Sequence, residues 1–529
     1  MMPNDMIPSP SPLRSPSHHP LLRPFAAVEA AAGRLRAVMA DPAHGNRWIV
    51  LTLVLYTLVW TLYGIIAKGG QDVHPDMTEL VVWAREPALG YFKHPPFAAW
   101  LTAAWFAVFP VADWSYYLLA AAMPSLALWI VWRGSAGYLD ADRRIVGVAL
   151  LTLTPFFGVL ALKFNVNTVL IPLWAATAVC FLRSFERRSI LWGILAGIGA
   201  AVAMLTKYWS IFLIAGLVLA ALGDRRRWIY LGSPAPWVTV AVGALLLAPH
   251  IVWLFQNDFP PLHYVSAAHP PATLTASATS AVTYLLGSAG YVALPLILVL
   301  AAARPDRAAL HDMLWPASPE RRLAARAFWW PLVLPAFGAI AMATEITSIW
   351  SMAAFALLPV TLLASPRVML PRQALDRIVA LAVAVPVVML VASPIIAAVI
   401  QRGALPADQT QGSLVAPAAE AAWRAATPAP LRIVAGDNAY GIAFYMDDRP
   451  SAFPEFNTRI AMWIDEARVA RDGMVMVCNT DNAACLAEAQ RRAGIAHAAT
   501  APVDVTVARS LFGIAGPAHR YRIWALPPA

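Results

Sequence analysis

Two carboxylates, Asp76 and Glu79, stand three residues apart in the stretch HPDMTELVVWAREPALGYFKHPPFAAWL, with Trp83 four residues further on. On a helix the spacing i, i+3, i+7 sets all three on one face, two proton acceptors above an aromatic plate. Such a face suits general-base work on a hydroxyl, with the ring packed against a sugar or prenyl group. The other reading is an amphipathic helix lying on a bilayer with its acids in water. Pro75 fits the first turn of this helix and Pro87 would end it. Trp83 and Tyr91 are the residues expected to contact the substrate.

Cationic chemistry is scarcer than the charge suggests. Of 39 Lys and Arg residues only Lys68, Lys93, Lys163 and Lys207 are lysine, so each lysine is an exception to an arginine-biased composition. An ammonium is a compact point charge suited to a phosphate oxygen, whereas arginine favours flat bidentate partners. Lys93, Lys163 and Lys207 lie in YFKHPP, LKFNVN and LTKYWS, among aromatic and polar neighbours, which points to an anionic headgroup site. Lys68 reads as a side chain snorkelling to the interface. His94 could bind phosphate, hydrogen-bond the acid face or cap its own turn. His74, Asp76 and His94 could converge on an ion, but no tight ligand spacing supports one. No cofactor is required by this chemistry, and participation of a divalent metal is left open.

The elements that must position these groups are membrane helices. Hydrophobic residues make up 59% of the 529 and charged residues 13%, which excludes a soluble enzyme over most of the chain. Eleven apolar runs are expected, at roughly 48–66, 113–132, 145–162, 168–182, 189–206, 208–223, 237–256, 277–303, 328–344, 348–364 and 378–400. The Pro/Ser-rich stretch 1–46 reads as a disordered cytoplasmic tail rather than a signal peptide. Residues 47–401 read as the transmembrane core, with a first outer loop at 67–112. In it, FAAWLTAAWFAVF is apolar but short, and is read as an interfacial or re-entrant helix. Seventeen arginines fall in alternate loops on one face, against Lys68, Arg85, Lys93, Lys163 and Lys207 on the other. Basic residues collect on the cytoplasmic side, so the acid face is expected outside. The net charge of +9 reflects that asymmetry, and nucleic-acid binding is not expected.

Residues 402–529 read as a soluble periplasmic α/β domain. LRIVAG and GMVMVC suggest buried strands, DNAACLAEAQRRAG a helix and RYRIWAL a last strand. Cys478 and Cys485, seven apart, could form a local disulfide or remain two buried thiols. DNAYGIAFYMDDRPSAFPEFN could touch an acceptor or be an ordinary edge of the domain.

An outward first loop with an acid near its start, followed by GYF-x-HPP and a hydrophobic segment, resembles the membrane glycosyltransferases of family 39. These include protein O-mannosyltransferases, the aminoarabinose transferase acting on lipid A and rhizobial galacturonosyltransferases. Asp76 falls eighteen residues before His94, as the first acid of the family's pair does. APHIVWLFQNDF at 248–259 and LKFNVNTVLIPLWA resemble later family segments, so the likeness covers roughly 50–260. It implies a polytopic helical core of the C-type glycosyltransferase architecture, a polyprenyl-phosphate sugar donor and an envelope acceptor: lipid A, another lipid, a glycan or a protein. Carried over, Asp76 would be the catalytic base, with Glu79 as the second candidate acid. Lys93 would lie near the donor phosphate, with His94, Lys163 and Lys207 as further partners. Met77 replaces the second acid of the pair, and His94 stands where aminoarabinose relatives carry lysine. The expected location is the bacterial inner membrane, as a monomer among membrane lipids. The competing readings are a transporter or flippase of a lipid-linked saccharide, and an anchor for a sensory outer domain.

Overall fold

The computed structural model describes residues 23–403, 405–409, 411–495 and 501–529. The chain is a polytopic helical membrane protein carrying a small sheet domain at its C-terminal end. Six helices are long and apolar enough to cross a bilayer: Gly45–Ala67, Asp113–Gly137, Val166–Arg187, Pro234–Gln256, Pro319–Ala341 and Arg372–Arg402. Two further pairs pass only together: Ala141–Thr152 with Pro155–Leu162, bent by 86°, and Leu274–Tyr291 with Ala293–Ala303, bent by 58°. Each of the eleven expected spans falls on one of these segments or on the shorter apolar helices Ile190–Thr206, Tyr208–Leu222 and Ser348–Leu363. By length alone the spanning count is therefore six, or up to eight if each bent pair is one span.

Outward-facing apolar surface fits a lipid environment. Only 6% of the apolar window of Pro234–Gln256 is buried and 17% of that of Arg372–Arg402, leaving Leu245, Phe255, Val391 and Ile395 bare. A monomer in water does not expose stripes of that size.

Residues 23–40 correct the expectation of a disordered tail over 1–46. Arg23–Ala40 is an 18-residue helix. Arg36 fastens it, hydrogen-bonding Asp376 at 2.7 Å and pairing with Asp142. Residues 1–22 lie outside the described residues.

Two elements carry the site. Pro75–Arg85 is a helix of 11 residues whose N-cap is His74: its Nδ1 accepts from the Asp76 N–H at 3.1 Å, and Pro75 opens the first turn. It ends at Arg85, one residue before the Glu86-Pro87 boundary. The apolar helix Phe97–Phe106 follows, short as expected. The second element is the turn between Pro155–Leu162 and Val166–Arg187. Asn165 caps the latter helix, its Oδ1 accepting from the Asn167 N–H at 2.9 Å, and this turn presents Lys163, Asn165 and Asn167 on one side.

The C-terminal domain has five strands: β1 (Ile433–Gly436), β2 (Ser451–Pro454), β3 (Met474–Asn479), β4 (Val503–Leu511) and β5 (Ile514–Leu526), in the order β2-β1-β3-β5-β4. β1 runs parallel to β2 and β3, and β5 antiparallel to β3 and β4. Helices Gly412–Ala426 and Ala483–Ile495 flank the sheet. The expected strands β1, β3 and β5 and the expected helix are present, while β2 and β4 carried no clear signal. Cys478 and Cys485 form a disulfide, with Cα atoms 5.6 Å apart.

This domain grips the back of the Pro75–Arg85 helix. Val82, fully buried, belongs to the same apolar cluster as Trp423, Val434 and Val475. Arg85 donates to the Ala443 and Pro450 carbonyls at 3.0 and 2.8 Å, and Arg468 pairs with Glu86 at 2.7 Å. Ahead of the helix, buried Asp72 pairs with Arg509 and accepts from Ser413 Oγ at 2.6 Å. The segment carrying the Pro75–Arg85 helix is thus held from both ends.

Candidate active site

A cavity of about 780 Å³ opens where these elements meet. Asp76, Glu79, Lys93, His94, Lys163 and Lys207 all line it. Lys68, read from sequence as a snorkelling side chain, lines it as well, so every lysine of the chain faces one space.

Asp76 is the centre of the arrangement. Lys163 Nζ lies 3.3 Å from its Oδ2 and Lys93 Nζ 3.8 Å from its Oδ1. Asn165 Nδ2 donates to Oδ2 at 3.1 Å. Burial alone would raise this carboxyl, but Lys93 and Lys163 outweigh it and hold Asp76 at about 2. It is therefore ionised throughout the neutral range. Glu79, one turn on and 8% exposed, accepts from Lys93 Nζ at 3.2 Å. Its deeper burial dominates, and it is pushed up to about 7 despite the pull of Lys93. Two carboxylates on one helix face are thus driven apart, a pattern that separates a base from a proton-bearing acid.

The histidines are uncharged near neutrality. Burial lowers His74 to about 4 and drives His94 well below its usual range. His74 serves as an N-cap acceptor, while His94 lies with Trp83 at a centroid distance of 6.4 Å and its carbonyl accepts from the Tyr91 N–H at 3.1 Å.

Lys207 occupies the turn between Ile190–Thr206 and Ile211–Leu222. Its ammonium donates to Asn167 Oδ1 at 2.9 Å and lies over the Trp350 ring, 4.7 Å from its centroid. Burial pushes it down to about 7. Around it the wall turns apolar and aromatic, through Trp209, Phe212, Pro335, Met342 and Ile349.

Trp83 and Tyr91 do not line the cavity. Trp83 is fully buried and stacks on Tyr91 at 4.7 Å with 7° between the rings. The Tyr91 hydroxyl donates to the Trp83 and Glu86 carbonyls at 2.8 and 3.0 Å, closing the open C-terminal end of the site helix. The expectation of substrate contact is replaced by a supporting place beneath that helix.

The 248–259 segment meets the first loop directly. His250 Nδ1 lies 2.6 Å from the Leu89 carbonyl and its Nε2 2.7 Å from the Tyr208 hydroxyl, so it joins the GYF turn to the Lys207 turn. Trp253 packs against Gly90. Among the described residues, the cluster with metal-ligand spacing is Asp437 with Cys478 and Cys485, and its sulfurs are bonded to each other. Those disulfide sulfurs cannot serve as thiolate ligands.

Residues 93–253 match the family described as dolichyl-phosphate-mannose-protein mannosyltransferase. The lipid A galacturonosyltransferase RgtD of Rhizobium johnstonii is 23% identical over 210 residues, covering 39% of this chain and 44% of its own. The lipopolysaccharide core galacturonosyltransferase RgtB of the same organism is 27% identical over 218 residues, covering 40% and 43%. The chain resembles the family 39 membrane glycosyltransferases. It spans less than half the length of the curated relatives it matches. The family 39 match begins at Lys93 and takes in His94, Lys163 and Lys207, while Asp76 and Glu79 precede it. The fold likeness is broader. The crystal structure of ArnT from Cupriavidus metallidurans bound to undecaprenyl phosphate aligns over 90% of this chain and 97% of its own, with a TM-score of 0.58 at 15% identity.

Sequence reasoning missed three groups at the site. Asn165 and Asn167 were visible in LKFNVN only as polar neighbours of Lys163. Lys68 sits at a span end, where an interfacial lysine and a site lysine look alike.

Proposed function

We propose that this chain transfers a sugar, with inversion, from a polyprenyl-phosphate donor to a hydroxyl of an envelope acceptor on the periplasmic side of the inner membrane. The observation that carries the reading is the placing of all four lysines together with Asp76 and Glu79 on one cavity. A membrane-embedded opening with an apolar wall and a cationic rim accepts a lipid phosphate without removing its tail from the bilayer.

In this reading the prenyl chain lies along the Trp209, Phe212 and Trp350 wall, with its phosphate at Lys207 and Lys93. Asp76 takes the proton of the acceptor hydroxyl. The acceptor oxygen then forms a bond to the anomeric carbon from the face opposite the phosphate, and the carbon–oxygen bond to phosphate breaks. The electron pair leaves with the phosphate, where the ammonium groups stabilise the new charge without a proton. Lys93, which with Lys163 holds Asp76 acidic, is drawn to the phosphate when donor binds. The carboxylate thereby regains basicity when the acceptor needs it. One carboxylate suffices for a single displacement. The Cys478–Cys485 disulfide supports an oxidising, outward location for the C-terminal domain.

The relatives RgtD and RgtB make galacturonic acid a candidate sugar and lipopolysaccharide a candidate acceptor for this chain. Mass spectrometry of envelope lipids and glycans from cells with and without the protein tests the reading. A species heavier by one sugar residue, present only with the protein, is expected. Identical profiles alongside unchanged uptake of donor would instead favour no transfer at all.

A further inference from the structure

The tip of the β4–β5 hairpin does not have the chemistry of a turn in water. The two strands are joined by Phe512 and Gly513, both in the left-handed region, at φ 52° and 77°. Two left-handed residues make the mirror-image turn that suits a hairpin, and Asn-Gly or Asp-Gly is the usual choice there. Here the tip reads Leu511-Phe512-Gly513-Ile514. A phenylalanine bears the strain of that conformation more heavily than asparagine does. Phe512 is also 65% exposed, so the described residues leave most of its ring uncovered.

The contacts behind the tip place it at the membrane boundary. Gln401, in the last turn of the Arg372–Arg402 helix, donates its Nε2 to the Arg509 and Ile514 carbonyls, each at 3.1 Å. The β4–β5 register slips between Ala508 and Ser510, and Arg509 at this bulge pairs with Asp72. Further along β4, the Leu511 methyls pack over Gly70 and Gly69. The hairpin thus descends along the stretch from Asp72 through Gly70 to Gly69, towards the end of the Gly45–Ala67 helix, and Phe512 comes next on that path. At this level the two spanning helices leave Ile65, Ile66 and Val399 bare, with Ile395 a turn deeper. Those side chains belong to the lipid-facing surface, and the apolar tip continues it.

We propose that Phe512 inserts into the bilayer leaflet nearest the active site and serves as a membrane foot for the C-terminal domain. Its partner is the lipid surface, at the boundary of headgroups and acyl chains where aromatic side chains settle. The same domain packs behind the Pro75–Arg85 helix through Val82, so the foot steadies the support of that helix against the bilayer. It does not depend on the transfer chemistry.

The test uses the full chain carrying Cys180→Ser in phosphatidylethanolamine–phosphatidylglycerol vesicles. A nitroxide is attached at Phe512→Cys or, further up the same hairpin, at the exposed Thr506→Cys. Cys478 and Cys485 stay bonded to each other and take no label. Collisions with oxygen, which concentrates in lipid, and with a water-soluble nickel chelate report depth. The label at 512 is expected about 5–10 Å below the lipid phosphates, and the label at 506 in water. A label at 512 as open to nickel as the one at 506 overturns the proposal. So does dipolar broadening at 512 that vanishes on dilution with unlabelled protein, because a second copy would then cover the tip.

Phe512→Asn gives a second measurement that needs no label, since it supplies the residue the turn favours and removes the ring. Hydrogen exchange of the β4 and β5 amides in the same vesicles is expected to quicken about fivefold or more, as for loss of a buried ring. Exchange unchanged or slowed would show a tip in water and overturn the foot.

Discussion

Asn165 reaches from the N-terminus of the Val166–Arg187 helix to Asp76, donating its side-chain amide to Oδ2 at 3.1 Å across 89 residues of sequence. The same side chain caps its own helix through Oδ1. One amide therefore fixes both the loop that carries Lys163 and the orientation of the carboxylate. Asn165→Asp preserves the cap, since aspartate is an equally good N-cap. It removes the donor to Asp76 and sets a like charge beside it, which raises the Asp76 pKa. The expected outcome is a fall in the turnover rate of about tenfold with little change in KM for donor, and an acidic limb of activity moved to higher pH. Equal losses in both kinetic constants, or an unmoved limb, would contradict a positioning role.

Donor binding should weaken as pH rises through the neutral range. Lys207, pushed down to about 7, is charged below that value and loses its proton above it. Glu79, pushed up to about 7, is neutral below and becomes a carboxylate above, when it claims Lys93. The groups facing Glu79 are Lys93, Asp76 and the hydroxyls of Tyr116 and Tyr440. Both titrations act in one direction, so affinity for a prenyl phosphosugar, whose phosphodiester keeps its charge, should fall about tenfold between about pH 6 and about pH 8.5. Lys207→Arg and Glu79→Gln should each flatten part of that slope. A slope unchanged in the double variant would remove both assignments.

Gly90 has no room for a side chain. A Cβ there would overlap the ring of Trp253, whose helix also carries His250. Gly90→Ala is expected to destabilise the folded protein in detergent by about 1–3 kcal/mol, the usual cost of overpacking. It should also loosen Lys93, three residues on, and so weaken donor binding. Trp253→Leu in the same chain should restore most of the thermal stability. A double variant no more stable than Gly90→Ala would place the glycine's importance elsewhere.

The parts of the site set by local chemistry were legible in the sequence. Pro75 and Pro87 bracket the site helix, and Lys93, Lys163 and Lys207, three of only four lysines in an arginine-rich chain, line one cavity. Parts that depend on distant chain were not. Trp83 shares the helical face of Asp76 by spacing, yet Tyr91 stacks on it and the C-terminal domain packs behind the same turn. The helix Arg23–Ala40 looked like an extension of the Pro/Ser-rich tail because its anchor, Asp376, lies 340 residues from Arg36. Several expected spans are broken or short because apolar composition does not reveal a bend such as the 86° turn before Pro155–Leu162, and that bend is what delivers Lys163 to Asp76.

The central claim is that Asp76 is the group that accepts the proton of the attacking hydroxyl. Asp76→Asn keeps the size and the hydrogen-bonding shape of the side chain and removes its basicity. The decisive measurement is the initial rate of sugar transfer in membranes carrying this variant at wild-type abundance, with undecaprenyl phosphate binding checked alongside. A rate lower by about 10²–10⁴ with binding retained is the predicted result. A rate near that of the wild-type protein would contradict the account.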